Sequence, residues 1–181
     1  MYATDATYRR SVAFASPLGA AQLARSVRAL LEASALAGSP AALNALAGAA
    51  CRAFAEDRAT ARGVVGALEA AVAPDVAGVQ AAFDDDGVLI VARRLVADRA
   101  ALTSVVDAAS WRAYADSAVA RLGLTKRGAF LAPARLLLTG RTSGSDVGAQ
   151  LGLARAAEGL GVEAAVGVEA RVALLGECLL K

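Results

Sequence analysis

The chain contains no histidine. That excludes Ser-His-Asp and Cys-His catalytic sets and any metal site built on imidazole. Its two cysteines, Cys51 and Cys178, lie far apart in sequence and match no zinc-binding or redox spacing. They read as buried or idle thiols of a reducing compartment. Aromatic residues make up only 4%, so a core must rest mainly on Leu, Val and Ala. No segment reads as membrane-spanning. The longest uncharged run, Ala33 to Cys51, is interrupted by Ser34, Gly38, Ser39, Pro40, Asn44 and Gly48, and reads as two helices around a Gly-Ser-Pro break. No glycine-rich phosphate loop follows a strand. No catalytic residue, metal or cofactor is therefore expected.

What is present points to helix. Of 181 residues 57% are hydrophobic, and much of that fraction is alanine. Alanine favours helix and buries little surface per residue, so the expected fold is all-α, a bundle of roughly seven to nine short helices in close contact. Net charge is only +2, too small to mark a nucleic-acid binder by itself. The kind of cation says more. Of 19 basic residues only Lys126 and Lys181 are lysine, and 17 are arginine. Arginine forks onto phosphates and stacks on bases, although such a balance also follows from genome base composition alone.

The first 18 residues carry Arg9, Arg10, several hydroxyls and a single acid, Asp5. They read as a flexible terminus or a transit peptide, so the expected location is cytoplasmic, or plastid or mitochondrial matrix if the stretch is a targeting signal. Leu23, Val27, Leu30 and Leu31 recur at helical spacing, which predicts a helix over about 19–37. Ser39-Pro40 reads as an N-cap followed by proline at the first helical position, opening a helix with Leu43, Leu46, Ala50 and Phe54 on one face. A weaker helix follows over about 60–72, and Pro74-Asp75 reads as a turn or a helix start. Asp84-Asp85-Asp86-Gly87 is the sharpest break in the chain, and a solvated loop is expected there, since a calcium loop needs alternating ligands and a terminal Glu. Val88 to Val96 reads as helix. Asp98 is expected to cap a helix reaching about Asp107, and Ser110 to cap the next, with Trp111, Tyr114, Ala118 and Leu122 on one face. Trp111 reads as a core anchor. Gly123 closes that helix. A connector leads to a helix begun by Leu131-Ala132-Pro133 and ending at Thr139. Asp146 caps the following helix, and the last spans about 162–179.

One segment carries the candidate chemistry. From Arg121 to Ser145 there are five cations (Arg121, Lys126, Arg127, Arg135, Arg141) and no carboxylate. Arginines neutralise phosphate charge, and Gly, Ser and Thr let backbone amides and hydroxyls approach it.

The run from Gly123 to Val147, with Pro133, Arg135, Leu138, Thr139, Gly140 and Gly144 in the matching places, resembles the C-terminal anticodon-binding domain of bacterial and organellar glutamyl-tRNA synthetases, class I enzymes. The clear match covers about 25 residues, with a looser one over roughly 98–181; Trp111 also fits. The resemblance implies that Arg135 touches an anticodon base or its flanking phosphate, and that the loop from Arg141 through Thr142 to Val147 lies against the splayed bases, with Val147 as an apolar contact. Thr139, Gly140, Lys126 and Arg127 complete the implied contact set. Unpaired anticodon bases offer edges that arginine and backbone groups can read. The chain departs from the pattern at Ala134, where leucine is usual. The stretch from Leu151 to Arg171 is longer and acidic, and Arg171 is the last helix's one arginine.

The synthetase's catalytic half needs a His-containing signature and a Lys-rich loop, and a chain with no histidine and two lysines carries neither. The implied function is thus a tRNA anticodon-loop binding module that supports glutamyl-tRNA formation without catalysing it. Its implied partners are tRNA of the glutamate type, or other structured RNA, and a separate catalytic chain. The alternative is a non-catalytic structural subunit of a large ribonucleoprotein assembly such as an organellar ribosome; a helical protein–protein adaptor is a third. Three parts are expected: the terminus 1–18, a helical subdomain 19–97 and an anticodon-binding-like subdomain 98–181, with a break near Asp84 to Gly87.

Overall fold

In a computed structural model, residues 17–32, 38–54, 64–65, 68, 71–72, 79, 81–144 and 146–180 are described. Residues 1–16 of the expected terminus, residues 33–37, most of the expected helix over 60–72, the Pro74-Asp75 turn and Ser145 lie outside them. Among the described residues there is no strand, and the fold is all-α. Eight α-helices are described: α1 Pro17–Glu32, α2 Pro40–Phe54, α3 Asp86–Ala97, the single turn α4 Arg99–Leu102, α5 Ala108–Arg121, α6 Gly128–Thr139, α7 Val147–Gly159 and α8 Val168–Cys178. No described helix is long and apolar enough to cross a membrane.

Local chemistry explains half of the described helix starts. Ser39 accepts a hydrogen bond from the Ala42 amide at 3.1 Å, so α2 opens on the expected Ser-Pro cap. In the acidic loop, Asp85 accepts from the amides of Gly87 (2.7 Å) and Val88 (3.4 Å) and caps α3. Asp146 accepts from Ala149 at 3.1 Å and caps α7.

Four expectations are corrected. The cap of α5 is Asp107, not Ser110. Ser110 sits three positions into the helix and returns its hydroxyl to the Asp107 and Val106 amides, a reciprocal capping box. Asp98 makes no side-chain cap, and only the one turn of α4 follows it. Helix α6 begins at Gly128, before Leu131, so Pro133 lies within it. Proline there forgoes one bond to the Ala129 carbonyl, and Ala129 is exposed to water. The last helix likewise starts at Val168, and Val162 belongs to the preceding turn.

The buried side chains form two clusters. The first joins Val27 and Leu31 of α1, Leu43, Leu46, Ala47, Ala50 and Cys51 of α2, and Val64, Leu68 and Val72. The second gathers Val88, Val91, Ala92 and Leu95 of α3 around Trp111, Tyr114 and Ala118 of α5 and Phe130, Ala134, Leu137 and Leu138 of α6, with Val172 and Leu175 of α8. Helix α3 packs on α6 and α8, and its buried residues belong to the same cluster as theirs.

Helix α7 serves both clusters, giving Leu151 to the second and Leu153 and Ala157 to the first. It approaches the start of α5 too closely for a side chain. A Cβ on Gly148 would collide with the Asp107 carbonyl and stand 2.6 Å from the Cβ of Trp111. A Cβ on Gly152 would collide with the Val106 carbonyl. The four-residue spacing puts both glycines on one face of α7.

Candidate functional site

Helix α6 and its two flanking connections hold all the sequence-predicted contact residues except Val147, the first residue of α7. The helix buries Phe130, Ala134, Leu137 and Leu138 and leaves Gly128, Ala129 and Ala132 outside. Its twelve residues span about 18 Å at 1.5 Å per residue. Lys126 and Arg127 precede it and Arg141 and Thr142 follow it. The candidate cations therefore gather at two ends of one helix.

At the closing end, Gly140 adopts the left-handed conformation (φ 68°) and its amide returns to the Leu136 carbonyl at 2.8 Å. A residue with a Cβ is strained there, and glycine ends the helix without that strain. The chain then runs through Arg141, Thr142, Ser143 and Gly144, all exposed. It folds back over Arg135: the Arg135 Nη1 and the Gln150 Nε2 each lie 3.7 Å from where a Cβ on Gly144 would sit. Arg135 is half-buried beneath this loop and engaged with the protein.

Two predicted contacts fall away. Thr139 is 1% exposed and donates its hydroxyl to the Arg135 carbonyl at 2.8 Å. Val147 is 2% exposed and packs in the second core. Neither presents surface to a base. The helical phase of α6 turns Thr139 inward with Leu138, and the cap at Asp146 turns Val147 inward as α7 begins.

At the opening end the stretch is free of acid in sequence but not in space. Arg127 pairs with Asp116 of α5 at 3.2 Å, both side chains about half exposed. Arg121 reaches Asp98 at 3.4 Å. Lys126 is exposed.

Asp98, which sequence reasoning treated only as a cap, is 7% exposed and is the hub of a polar cluster. It takes both Nε (2.7 Å) and Nη2 of Arg94, the Tyr114 hydroxyl at 3.3 Å and Nη2 of Arg121. The Asp98 hydrogen bond holds the Arg94 guanidinium above its usual pKa. Burial first, and then the Asp98 charge, pushes the Tyr114 phenol well above its ordinary value.

Arg171 is the second feature missed. It is 3% exposed, and no carboxylate pairs with it among the described residues. Its guanidinium donates to the carbonyls of Val166 (2.7 Å), Leu138 (2.7 Å), Ala71 and Val72 (3.3 Å). Burial depresses its pKa to about 10, offset in part by the Glu158 charge. Leu138 lies in the last turn of α6, where carbonyls lack intrahelical partners and carry partial negative charge, so Arg171 caps α6 from below. A signal existed: Val168, Arg171, Val172 and Leu175 form one helical stripe, and the arginine occupies an apolar position in it.

This arrangement supports anion contact rather than acid–base chemistry. It offers exposed guanidinium and hydroxyl donors on a loop held at its base by Gly140, Arg171 and the Asp146 cap. No protein-family model, curated protein or solved structure matches the chain.

Proposed function

We propose that the chain is a non-catalytic RNA-binding module whose contact surface is the loop from Gly140 to Gly144 with Arg135 beneath it, and whose ligand is the unpaired anticodon loop of a tRNA of the glutamate type. On this reading it supports glutamyl-tRNA formation alongside a catalytic domain. The observation that carries the reading is the pairing of an exposed, carboxylate-free loop bearing Arg141 and Thr142 with a half-buried Arg135 under Gly144. The run Gly123–Val147 with its synthetase-like order adds the identity of the ligand. Unpaired nucleotides suit such a surface because their base edges and phosphates are both accessible to arginine.

Equilibrium binding to an anticodon stem-loop RNA tests this. Binding is expected to weaken with rising salt. Arg135→Ala should cost about 1–3 kcal/mol of affinity if the guanidinium reads a base. Equal affinity of wild type and Arg135→Ala would remove Arg135 from the site.

The scaffold reading has its own support. Arg171 is turned inward, and Arg127 and Arg121 already face carboxylates, which leaves less free positive surface than the sequence suggests. A subunit of a large ribonucleoprotein assembly would use the same helices as packing surface. Stoichiometric co-purification with such a particle, without affinity for free tRNA, would favour it.

A further inference from the structure

We propose that Arg121, with Arg94 beside it, is a second phosphate grip on the same RNA-binding surface, oriented by the buried carboxylate of Asp98; the inference rests on the RNA-binding reading above. The other ion pairs described, Arg28–Glu32, Arg99–Glu169 and Arg127–Asp116, join one exposed cation to one exposed acid. At Asp98 two guanidiniums converge on a single carboxylate, and the cluster keeps a net positive charge. The carboxylate side chain is 6% exposed, whereas that of Arg121 is 46% and that of Arg94 is 24% exposed. An approaching anion therefore meets N–H donors and not the acid.

The hydrogen-bond inventory agrees. A guanidinium has five N–H groups. Arg94 donates Nε and Nη2 to Asp98, while Arg121 meets the same carboxylate as an ion pair through Nη2 at 3.4 Å and keeps its side chain exposed. Tyr114 holds the same carboxylate oxygen from the core side at 3.3 Å, which fixes the acid and through it both arginines. A pre-oriented guanidinium loses less freedom on binding a phosphate than a loose one. Arg121 ends α5, and Lys126 and Arg127 follow it within the connector, so the opening end of α6 becomes a grip on the backbone of the RNA while the Arg135 end meets its unpaired bases. Asp98 acts here as a positioning residue.

The test is binding of the anticodon stem-loop RNA over a range of salt concentrations by wild type, Arg121→Gln, Arg121→Lys, Asp98→Asn and Arg99→Gln, each checked for native melting. Arg121→Gln should lower affinity about 5-fold and reduce the slope of log affinity against log salt by about one contact. Arg121→Lys should keep the slope. Arg99→Gln removes the same charge from another exposed arginine and should leave the slope unchanged. Asp98→Asn should weaken binding although it deletes a negative charge. The inference is overturned if Arg121→Gln matches Arg99→Gln, or if Asp98→Asn tightens binding. If those results come with an Arg135→Ala variant that still loses affinity, the RNA-binding reading survives without the second grip. If wild type fails to bind the RNA at low salt, both fall together.

Discussion

The two cores are built from different material. The first is aliphatic, with Leu, Val, Ala and Cys51 but no ring among its described members. The second is centred on Trp111, Tyr114 and Phe130, whose ring centroids lie 5.7 to 6.3 Å apart. It also holds the polar hub at Asp98. Aromatic pairs have preferred geometries worth about 0.5–1.5 kcal/mol beyond area burial, so the second core specifies its arrangement more tightly. The first relies on small side chains and close helix approach. The candidate site is mounted on the second, where α6 is held from several sides. The difference teaches that the exposed loop after α6 stands on the core whose aromatic packing fixes its helices more tightly.

The largest expected effect comes from α7, which both cores share. Gly148→Ala puts a methyl group into the Asp107 carbonyl and against Trp111. Both the helix and the capped turn it meets are backbone, so relief requires moving α7 away from α5. The expected loss is about 3 kcal/mol or more. Gly159→Ala, on the same helix with nothing within 4 Å of the new Cβ, is expected to be neutral or to stabilise by about 0.5 kcal/mol. Urea unfolding of the two variants checks the contrast, and equal midpoints would show that α7 is not clamped as described.

Next comes the tie between the cores. Arg171 on α8 holds carbonyls of Ala71 and Val72 from the first core's side and Leu138 from α6. Arg171→Met keeps most of the side-chain volume but strips these carbonyls of their donor, for an expected loss of about 2–4 kcal/mol. Trp111 is the one tryptophan and sits in the second core, so its fluorescence follows that core while far-ultraviolet circular dichroism follows all helices. In wild type the two transitions should coincide. In Arg171→Met the circular-dichroism transition should begin at lower urea. Coincident transitions in the variant would show that α7 alone couples the cores.

The features legible in the sequence are those decided locally. Ser39-Pro40, Asp146 and the Trp111–Tyr114–Ala118 face each depend on a few neighbouring residues, and each is found where spacing and capping chemistry put it. What was misread depends on partners distant in sequence. Asp98 has good cap chemistry, but Arg94 one turn back takes both of its oxygens, and Tyr114 and Arg121 from α5 complete the hub. Arg171 looks like a surface cation until its apolar neighbours at three- and four-residue spacing are weighed. In the candidate site, Arg135 lies half-buried within α6 and Arg141 exposed beyond Gly140, and a linear motif does not state the helical phase that separates them. Thr139 and Val147 therefore looked available and are buried.

The smallest expected effect separates the polar hub from the aromatic packing around it. Tyr114→Phe keeps the ring and removes the hydroxyl that donates to Asp98, at a cost of about 1 kcal/mol near neutral pH. The folded state holds the phenol above its ordinary value of 10.0, mainly by burial, whereas the unfolded chain releases that proton near the ordinary value. Above pH 10 the unfolded wild type is thus favoured by deprotonation that the folded protein resists. The wild type's advantage over Tyr114→Phe should shrink by up to about 1.4 kcal/mol per pH unit in that range. The buried Arg171 guanidinium is present in both proteins, so its contribution cancels in their difference. Paired urea titrations from pH 8 to 11 measure it directly. A difference that stays flat above pH 10 would mean that the phenol reaches water, and that the hub rests on the arginines alone.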